Sequence, residues 1–343
     1  MDLSIVLVSF NTRETTRRCL ETIFRETRGL VFEVIVVDND SRDGSAAMIA
    51  AEFPGVRLIR NDRNSGFGAA QNIGLGAARG EFLLVMNSDV FFVGNAARRL
   101  VDLMRQGPAD VGAVGPEILN PDGTWAPSAR RAVQPGPVLI LKGINRHFPF
   151  RASLPEDWMR RRAGFLFFRW HDNYQPRETT READWVDGMC VLFRRAALEE
   201  SGLFDERYFF DYEIVDLSMR LRRRGWRIVF DRRASVVHEV HSSRSRNPRI
   251  LVETHRSELL FYADYAPQNY RLLIRTFRVL VGVKKVLLNL GLGGAKGSRE
   301  AAERRMIYDR ILALSREMRT PAAVPRAKIP ALPPLPEVKA WQP

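Results

Sequence analysis

The sequence predicts an α/β fold built on a mostly parallel central sheet. Its first 90 residues contain four apolar runs rich in β-branched residues, at 3–10, 32–40, 56–61 and 81–90. Segments with helical spacing separate these runs, at 14–27, 44–53 and 66–80. Strands that alternate with helices in this way pair in parallel through right-handed crossovers. Ligands of such sheets bind beyond the carboxyl ends of the strands, and the polar groups SFN, DNDS and NSD follow three of these runs.

Each of the first elements carries its own signal. LSIVLVSF (3–10) and FEVIVVDND (32–40) are continuous apolar runs, as is typical of strands buried on both faces. In the first helix four apolar residues recur at helical spacing: Cys19, Leu20, Ile23 and Phe24. GFGAAQNIGLGAARG (66–80) is rich in small residues, which predicts a helix that packs closely on the sheet.

The rest of the chain divides into a domain end, a helical extension and a tail. Residues 116–183 contain several prolines and an aromatic cluster, so we expect a long, variable loop region there. The segments at 185–202 and 226–243 return to strand and helix patterns and complete a core domain over residues 1–250. Residues 251–320 predict a helical extension. The proline-rich segment 321–343 lacks periodicity and predicts a disordered tail.

Charge and cysteine content limit the class of partner. A formal charge of +13 indicates either an anionic partner or an arginine usage set by genomic base composition. Basic residues are dispersed and no recognition motif is present, which disfavours nucleic acid. Cys19 and Cys190 have neither zinc nor disulfide spacing, so we expect buried thiols in a reducing cytosol. No signal peptide and no membrane-spanning apolar run is evident, which predicts a cytoplasmic protein.

Polar residues at the strand ends are candidate ligands, and each has a structural alternative. Asp38 could accept a hydrogen bond from a nucleotide base or form an Asx-type turn. Asp89 could bind Mg²⁺ or Mn²⁺ or could cap a turn. His238 would join such a metal site only if it meets Asp89 in space. Gly66 and Gly68 would let the backbone approach a ligand closely.

Seven segments follow one another between residues 3 and 243: SIVLVSFN, VIVVDNDSRDGS, VRLIRNDRNSGFGAAQNIG, GEFLLVMNSDV, VGAVGPEILNPDGTW, a long segment from WVDGMC to RRGWRI, and VVH. Together they resemble the inverting family 2 glycosyltransferases of the GT-A fold, in particular a rhamnosyltransferase-like branch. The resemblance implies a Rossmann-like nucleotide-binding domain with a mostly parallel sheet flanked by helices.

The resemblance also implies a role for each matched position. The donor nucleotide would be lined by Asn11, Asp38, Gly66, Asn72, Asn87, Ser88 and Asp89. In that set Asp38 would hold the pyrimidine ring, and the last three residues would stand for the DXD motif with Asn87 as its first member. The metal, Mg²⁺ or Mn²⁺, would be bound by Asp89 and His238. The acceptor pocket would be bordered by Trp185, Asp187 and Gly188.

The segment YFFDYEIVDLSMRL (208–221) matches the E-D-x-D motif that supplies the catalytic base in this family. Glu213 takes the first acidic position and Asp216 the last, but Ile214 replaces the acid that usually acts as base. Three alternatives stay open: Glu213 is the base, Asp216 is the base on the same helix face, or the base is lost. Asp216 could also pair with Arg220, and Ile214 could belong to an apolar helix stripe.

The implied activity is metal-dependent, inverting transfer of a sugar from a nucleoside-diphosphate donor, dTDP-L-rhamnose or a UDP-sugar. The acceptor would be a hydroxyl of a glycan or a polyprenyl-linked glycan in cell-surface polysaccharide synthesis. The alternative is a non-catalytic sugar-nucleotide-binding scaffold that has lost its base at Ile214. Residues 270–294 mix leucine and valine with arginine and lysine. That mixture predicts either a helix lying on an anionic membrane surface, in a peripheral association, or a helix docked on the protein's own core.

Overall fold

The computed structural model describes residues 1–126, 128–130, 180–239, 248–291, 298–325 and 327–333. The strands are β1 (Leu3–Ser9), β2 (Phe32–Asp38), β3 (Arg57–Arg60), β4 (Phe82–Asn87), β5 (Val90–Val93), β6 (Val111–Leu119), β7 (Trp125–Ala126), β8 (Ala129–Arg130), β9 (Thr180–Ala183), β10 (Trp185–Val186), β11 (Cys190–Arg194) and β12 (Arg227–His238). The α-helices are α1 (Arg13–Glu26), α2 (Ser45–Glu52), α3 (Phe67–Ala77), α4 (Ala96–Gln106), α5 (Arg195–Ser201), α6 (Glu213–Arg223), α7 (Pro248–Tyr265), α8 (Tyr270–Asn289) and α9 (Ser298–Glu317).

The first four strands form the parallel half of the central sheet, as predicted. Their spatial order is β3-β2-β1-β4, and each pairs in parallel with its neighbour. Side chains alternate between the two faces of β1: Ile5 and Leu7 join a core with α1, α2 and α4, whereas Val6 joins a core with α3, α5 and α6. Both faces are therefore covered, which explains why these strands read as continuous apolar runs.

The other half of the sheet is antiparallel or mixed, which the sequence did not predict. Strand β11 lies between β4 and β6 and runs antiparallel to both. The long strand β12 pairs in parallel with β6 and antiparallel with β5 and β9. A buried apolar run has the same pattern in either direction, so the pattern does not encode strand direction. The Cys190 thiol on β11 and the Cys19 thiol on α1 are free and buried, and burial raises the pKa of Cys190 to about 12.

The predicted loop region differs from the structure, and one helix was missed. The expected loop region 116–183 includes ordered pieces, because β6 continues to Leu119 and the strands β7, β8 and β9 follow. Residues 127 and 131–179 of that region lie outside the described residues. Helix α4 was not predicted, although Ala97, Leu100, Val101 and Met104 are buried at helical spacing along it.

The C-terminal helices pack on one another and on the core domain. Helices α7, α8 and α9 share an apolar cluster that includes Tyr208. Within the described residues, no helix combines the length and the apolar character needed to cross a bilayer. The predicted disorder of the tail is wrong for residues 327–333, since Leu203 N donates to Pro330 O (2.8 Å) and the Leu332 side chain is buried in the core. Residues 334–343 lie outside the described residues.

A buried arginine ties α5 to the end of α3. The Arg195 side chain, in a residue 7% exposed, donates from Nε to Gly80 O and from Nη2 to Ala78 O, at 2.8 Å each. We expect Arg195→Met to lower the free energy of unfolding by about 2–3 kcal/mol, because two buried carbonyls lose charge-assisted partners. Chemical denaturation measures this. In Arg25→Met, which removes a side chain 61% exposed, the change should stay within about 0.5 kcal/mol. Equal losses in both variants would contradict the assignment.

Candidate active site

The carboxyl ends of β1, β2 and β4 meet at one edge of the sheet and form the floor of the site. Ser9 on β1 stands opposite Asp38 on β2, and Asn87 on β4 stands opposite Val8. Asp38 is buried; its Oδ2 accepts a hydrogen bond from Ser41 N (3.2 Å), while its Oδ1 accepts none. Asp38 therefore stabilises a turn, as one alternative predicts, and its hydrogen bond to a nucleotide base stays a prediction.

Asn39 and Asn11 organise the loops around this floor. The buried Asn39 side chain bonds to Asn64, Asn61 and Ser65, so it holds the loop after β3 against the end of β2. Asn39 is a site residue that was not predicted, although its position next to Asp38 was a usable signal. Asn11 adopts φ 53°, and its Oδ1 accepts a hydrogen bond from Arg42 N (2.7 Å) at the exposed rim.

The glycines at the start of α3 make contact with protein, not with open space for a ligand. A Cβ at Gly66 (φ +88°) would lie 2.5 Å from Phe209 O, and one at Gly68 would lie 3.5 Å from Glu213 Cβ. Asn72 exchanges two hydrogen bonds with the backbone of Phe204, through Nδ2 (2.9 Å) and Oδ1 (3.0 Å). Gly66 and Asn72 therefore bring α3 onto the segment that carries the acids, and their contacts with the nucleotide stay a prediction.

Pairing of β5 with β12 brings Asp89 and His238 together. His238 stands opposite Val90, and its Nε2 lies 3.3 Å from Asp89 Oδ1. Asp89 Oδ1 is buried and accepts no hydrogen bond. Before it, Ser88 Oγ lies 3.1 Å from Thr12 Oγ1, and Asn87 N donates to Met189 O (3.0 Å). The sequence left the meeting of Asp89 and His238 open, and the sheet decides it.

This pair of residues fits a divalent cation. Carboxylate oxygen and imidazole nitrogen are both ligands of Mn²⁺-type ions, and two cis ligands of an octahedral ion lie about 3 Å apart. The observed 3.3 Å between Asp89 Oδ1 and His238 Nε2 is close to that separation. No group of three or more histidine, cysteine, aspartate or glutamate side chains in the described part of the chain is arranged to hold a metal. The pair therefore supplies at most two protein ligands.

The predicted acceptor segment lies beside an arginine that the sequence analysis did not single out. On β10, Trp185 stands opposite Arg130 of β8, and the Arg130 guanidinium lies over the indole ring, 5.1 Å from its centroid. Arg130 Nη2 is also 3.5 Å from Asp187 Oδ2. Gly188 lies against the start of α6, since a Cβ there would be 3.2 Å from Ile214 Cβ. Arg130 adds a cation to this side of the site.

Glu213 and Ile214 begin α6 and face different neighbours. Glu213 is 8% exposed and packs beside Gly68 of α3. Ile214 is buried in the apolar core with Leu217 and Leu221 and touches Gly188. The interpretation of Ile214 as part of the apolar helix stripe agrees with this packing. Of the two acids in the first turn of α6, Glu213 is the one that lies beside the start of α3.

Asp216 has protein partners at both carboxylate oxygens, which favours the ion-pair alternative, whereas its role as base stays a prediction. It is 3% exposed, Arg220 Nε donates to its Oδ2 (2.9 Å), and Tyr265 OH donates to its Oδ1 (2.7 Å). Burial raises the pKa of Asp216 above its ordinary value, although Arg220 and Tyr265 oppose that shift. Both oxygens are thus occupied, one by Arg220 of the same helix and the other by Tyr265, which joins α6 to α7. The pair with Arg220, considered from sequence, is confirmed.

Similar proteins agree with this architecture. The model of Glycosyl transferase family 2 matches residues 4–202. The N-acetylglucosaminyl-diphospho-decaprenol L-rhamnosyltransferase of Mycobacterium tuberculosis is 33% identical over 274 residues, which cover 76% of this chain and 84% of that protein. The O-antigen biosynthesis protein RfbC of Myxococcus xanthus is 29% identical over 76% of this chain and 19% of its own length.

Solved structures show the same fold at low sequence identity. A mannosyltransferase from Pyrobaculum calidifontis in complex with GDP-Man and Mn²⁺ aligns with a TM-score of 0.51 and 15% identity, over 92% of this chain and 86% of that one. GalNAc-T7 with UDP, GalNAc and Mn²⁺ aligns with a TM-score of 0.53 and 17% identity, over 77% and 50%. With the family match and the relative from Mycobacterium tuberculosis, these findings show that the chain is a glycosyltransferase of the GT-A fold and belongs to glycosyl transferase family 2.

Proposed function

We propose that the protein transfers L-rhamnose from dTDP-L-rhamnose, with inversion, to a hydroxyl of a glycan carried on a polyprenyl diphosphate. The observation that carries the proposal is the pairing of Asp89 with His238, 3.3 Å apart at the edge where Asp38 also lies. The choice of sugar and acceptor rests on the relative whose name specifies an L-rhamnosyltransferase and a decaprenol-linked N-acetylglucosamine. A UDP-sugar is the second donor to test.

In this proposal the protein contacts the donor at its pyrimidine base and at its diphosphate. Asp38 Oδ1 accepts the N–H of the pyrimidine ring, which is consistent with a buried oxygen that accepts no hydrogen bond within the protein. Asp89 and His238 would hold Mg²⁺ or Mn²⁺, an ion that in proteins uses one or two carboxylates beside substrate phosphates. Such a cation would stabilise the negative charge that develops on the leaving diphosphate.

Glu213 acts as the general base on the acceptor. The acceptor oxygen attacks the anomeric carbon, the bond from that carbon to the diphosphate breaks, and the hydroxyl proton passes to the Glu213 carboxylate. Glu213 is favoured because Ile214 is buried in the apolar core and both oxygens of Asp216 are occupied. Trp185 and Asp187 border the acceptor side. Arg130 contacts both, so this side carries an arginine–aspartate ion pair beside an indole ring.

The C-terminal extension would hold the protein on the anionic cytoplasmic face of a membrane, where a lipid-linked acceptor resides. One side of α8 packs on the core through Leu273, Ile274, Phe277 and Val281. The opposite side exposes an apolar strip formed by Leu272, Val279, Val283 and Val286. Exposed Arg271 and Arg275 lie beside this strip, and α8 contains five basic and no acidic residues. A helix that packs on the protein with one side and exposes apolar and basic residues on the other supports this peripheral association.

The base assignment is tested by Glu213→Gln, assayed as transfer of radiolabelled rhamnose from dTDP-L-rhamnose to polyprenyl-diphospho-N-acetylglucosamine. We expect a loss of roughly 100-fold or more in kcat, the usual contribution of a general base, with unchanged donor affinity. Glu199→Gln, an exposed change on α5, should keep wild-type kcat. Unchanged turnover in Glu213→Gln would exclude Glu213 as the base. An inactive wild type that gains activity through Ile214→Asp would favour the scaffold alternative.

The metal assignment is tested by thermal shift with dTDP, with and without Mn²⁺. Ligand at about 100 times its Kd stabilises the native state by about 2.7 kcal/mol, so the wild type should show a clear Mn²⁺-dependent rise in Tm. We expect Asp89→Asn and His238→Ala to lose that rise. Asp122→Asn, an exposed turn residue, should keep it. A full Mn²⁺-dependent rise in both site variants would place the cation elsewhere.

The membrane surface is tested by flotation with vesicles of phosphatidylglycerol and phosphatidylcholine. Val279→Ser/Val286→Ser removes apolar surface from the strip of α8, and we expect at least tenfold weaker binding. Val31→Ser/Val93→Ser is the matched control, since Val31 is as exposed as Val279 (63% each) but lies on the core domain. Binding should also weaken as salt is raised. Equal flotation of both double variants would contradict docking through this face.

A further inference from the structure

The turn that leads into α6 is strained, and its own residues do not explain its shape. Asp211 and Tyr212 are consecutive non-glycine residues with φ of 62° and 68°. Side chains with a Cβ rarely adopt this left-handed conformation, so surrounding contacts must maintain it. Tyr212 is the N-cap residue of α6 and makes no side-chain capping hydrogen bond. The next residue is Glu213.

The contacts that maintain the turn come from one face of α7, in the C-terminal extension. Thr254 Oγ1 donates to Asp211 Oδ2 (2.9 Å), and Ser257 Oγ donates to Phe210 O (2.8 Å). Further along the same face, the Phe261 ring packs on the Tyr212 ring with 5.3 Å between centroids. Spacings of three and four residues place these side chains in one stripe of the helix.

The stripe continues to the first turn of α6. Tyr265, four residues after Phe261, donates to Asp216, whose other oxygen is bonded to Arg220. Thr254 and Ser257 are both buried, so their hydroxyl groups act inside the protein. From the opposite side, Phe67 N at the start of α3 donates to Phe209 O (3.0 Å). The turn therefore lies between α3 and α7 and contacts both helices.

We propose that Thr254 and Ser257 are positioning residues for Glu213, so that α7 forms part of the catalytic apparatus. Their hydroxyl groups lock the left-handed turn, and the locked turn sets the direction in which the Glu213 carboxylate leaves α6. The proposal rests on the proposed function, in which Glu213 accepts the proton of the acceptor hydroxyl. A displacement of about 1 Å in a reacting group reduces the rate by up to about 100-fold, so a relaxed turn should slow the chemical step.

The test is the double variant Thr254→Val/Ser257→Ala, which removes both hydroxyl groups and little volume. We expect kcat for rhamnose transfer to fall by roughly 10- to 100-fold, while the Kd for dTDP with Mn²⁺ changes less than twofold. Thr254→Ser/Ser257→Thr restores a hydroxyl at each position and should recover most of kcat. Ser315→Ala is the matched control: this buried serine of α9 bonds to Arg278 and Leu312, away from the turn, and its loss should leave kcat unchanged.

The outcomes separate this inference from the function on which it rests. If Glu213→Gln abolishes transfer but the double variant keeps wild-type kcat, the positioning role is wrong and the base assignment stands. If Glu213→Gln keeps wild-type kcat, both fall. A kcat loss accompanied by an equal loss in Ser315→Ala, or one that Thr254→Ser/Ser257→Thr fails to recover, shows a general structural role and overturns the proposal. If the double variant does not fold, the kcat of Ser257→Ala alone is compared with that of Ser315→Ala in the same way.

Discussion

The close approach of α3 to the segment that precedes α6 is the constraint on which the site depends. Gly66 passes so near Phe209 that a Cβ would lie 2.5 Å from its carbonyl oxygen, and Gly68 lies beside Glu213. The paired hydrogen bonds between Asn72 and Phe204 hold the same two segments together. Because these contacts leave no space for side chains, α3 packs directly on the start of α6 and on the segment before it, and the three form one packed unit.

The remaining parts of the site are attached to that unit from distant parts of the chain. Strand β12 brings His238 to Asp89 through its pairing with β5, at the end of the central sheet. Residues 327–333 bond to the segment at 203–206, and α7 bonds to the turn at Asp211. Helix α7 and residues 327–333 thus both contact the part of the chain between residues 203 and 211, which leads into α6. The C-terminal helices contribute to the geometry of the site, and α8 also exposes an apolar strip.

The sequence allowed the parallel half of the sheet and its polar edge to be predicted, since continuous apolar runs followed by SFN, DNDS and NSD carry that information locally. It did not show that Gly66 and Asn72 pack against the segment before α6, because a glycine that admits a ligand and one that admits another loop have the same sequence signal. It also left the role of Asp216 open, because an acid four residues before an arginine fits both a site and an ion pair. The long-range partner Tyr265 is evident only in the tertiary structure.

Residue types and their order alone determined the fold class, the family resemblance and the candidate set from Asp38 to His238. Local patterns are sufficient for these properties because burial and turn formation depend on neighbouring residues. Tertiary structure alone decided which candidates meet. It joined Asp89 to His238, buried Ile214 in the core, enclosed Asp216 between Arg220 and Tyr265, and placed α7 against the turn before Glu213. These contacts link residues far apart in the chain, so only packing of the whole domain determines them.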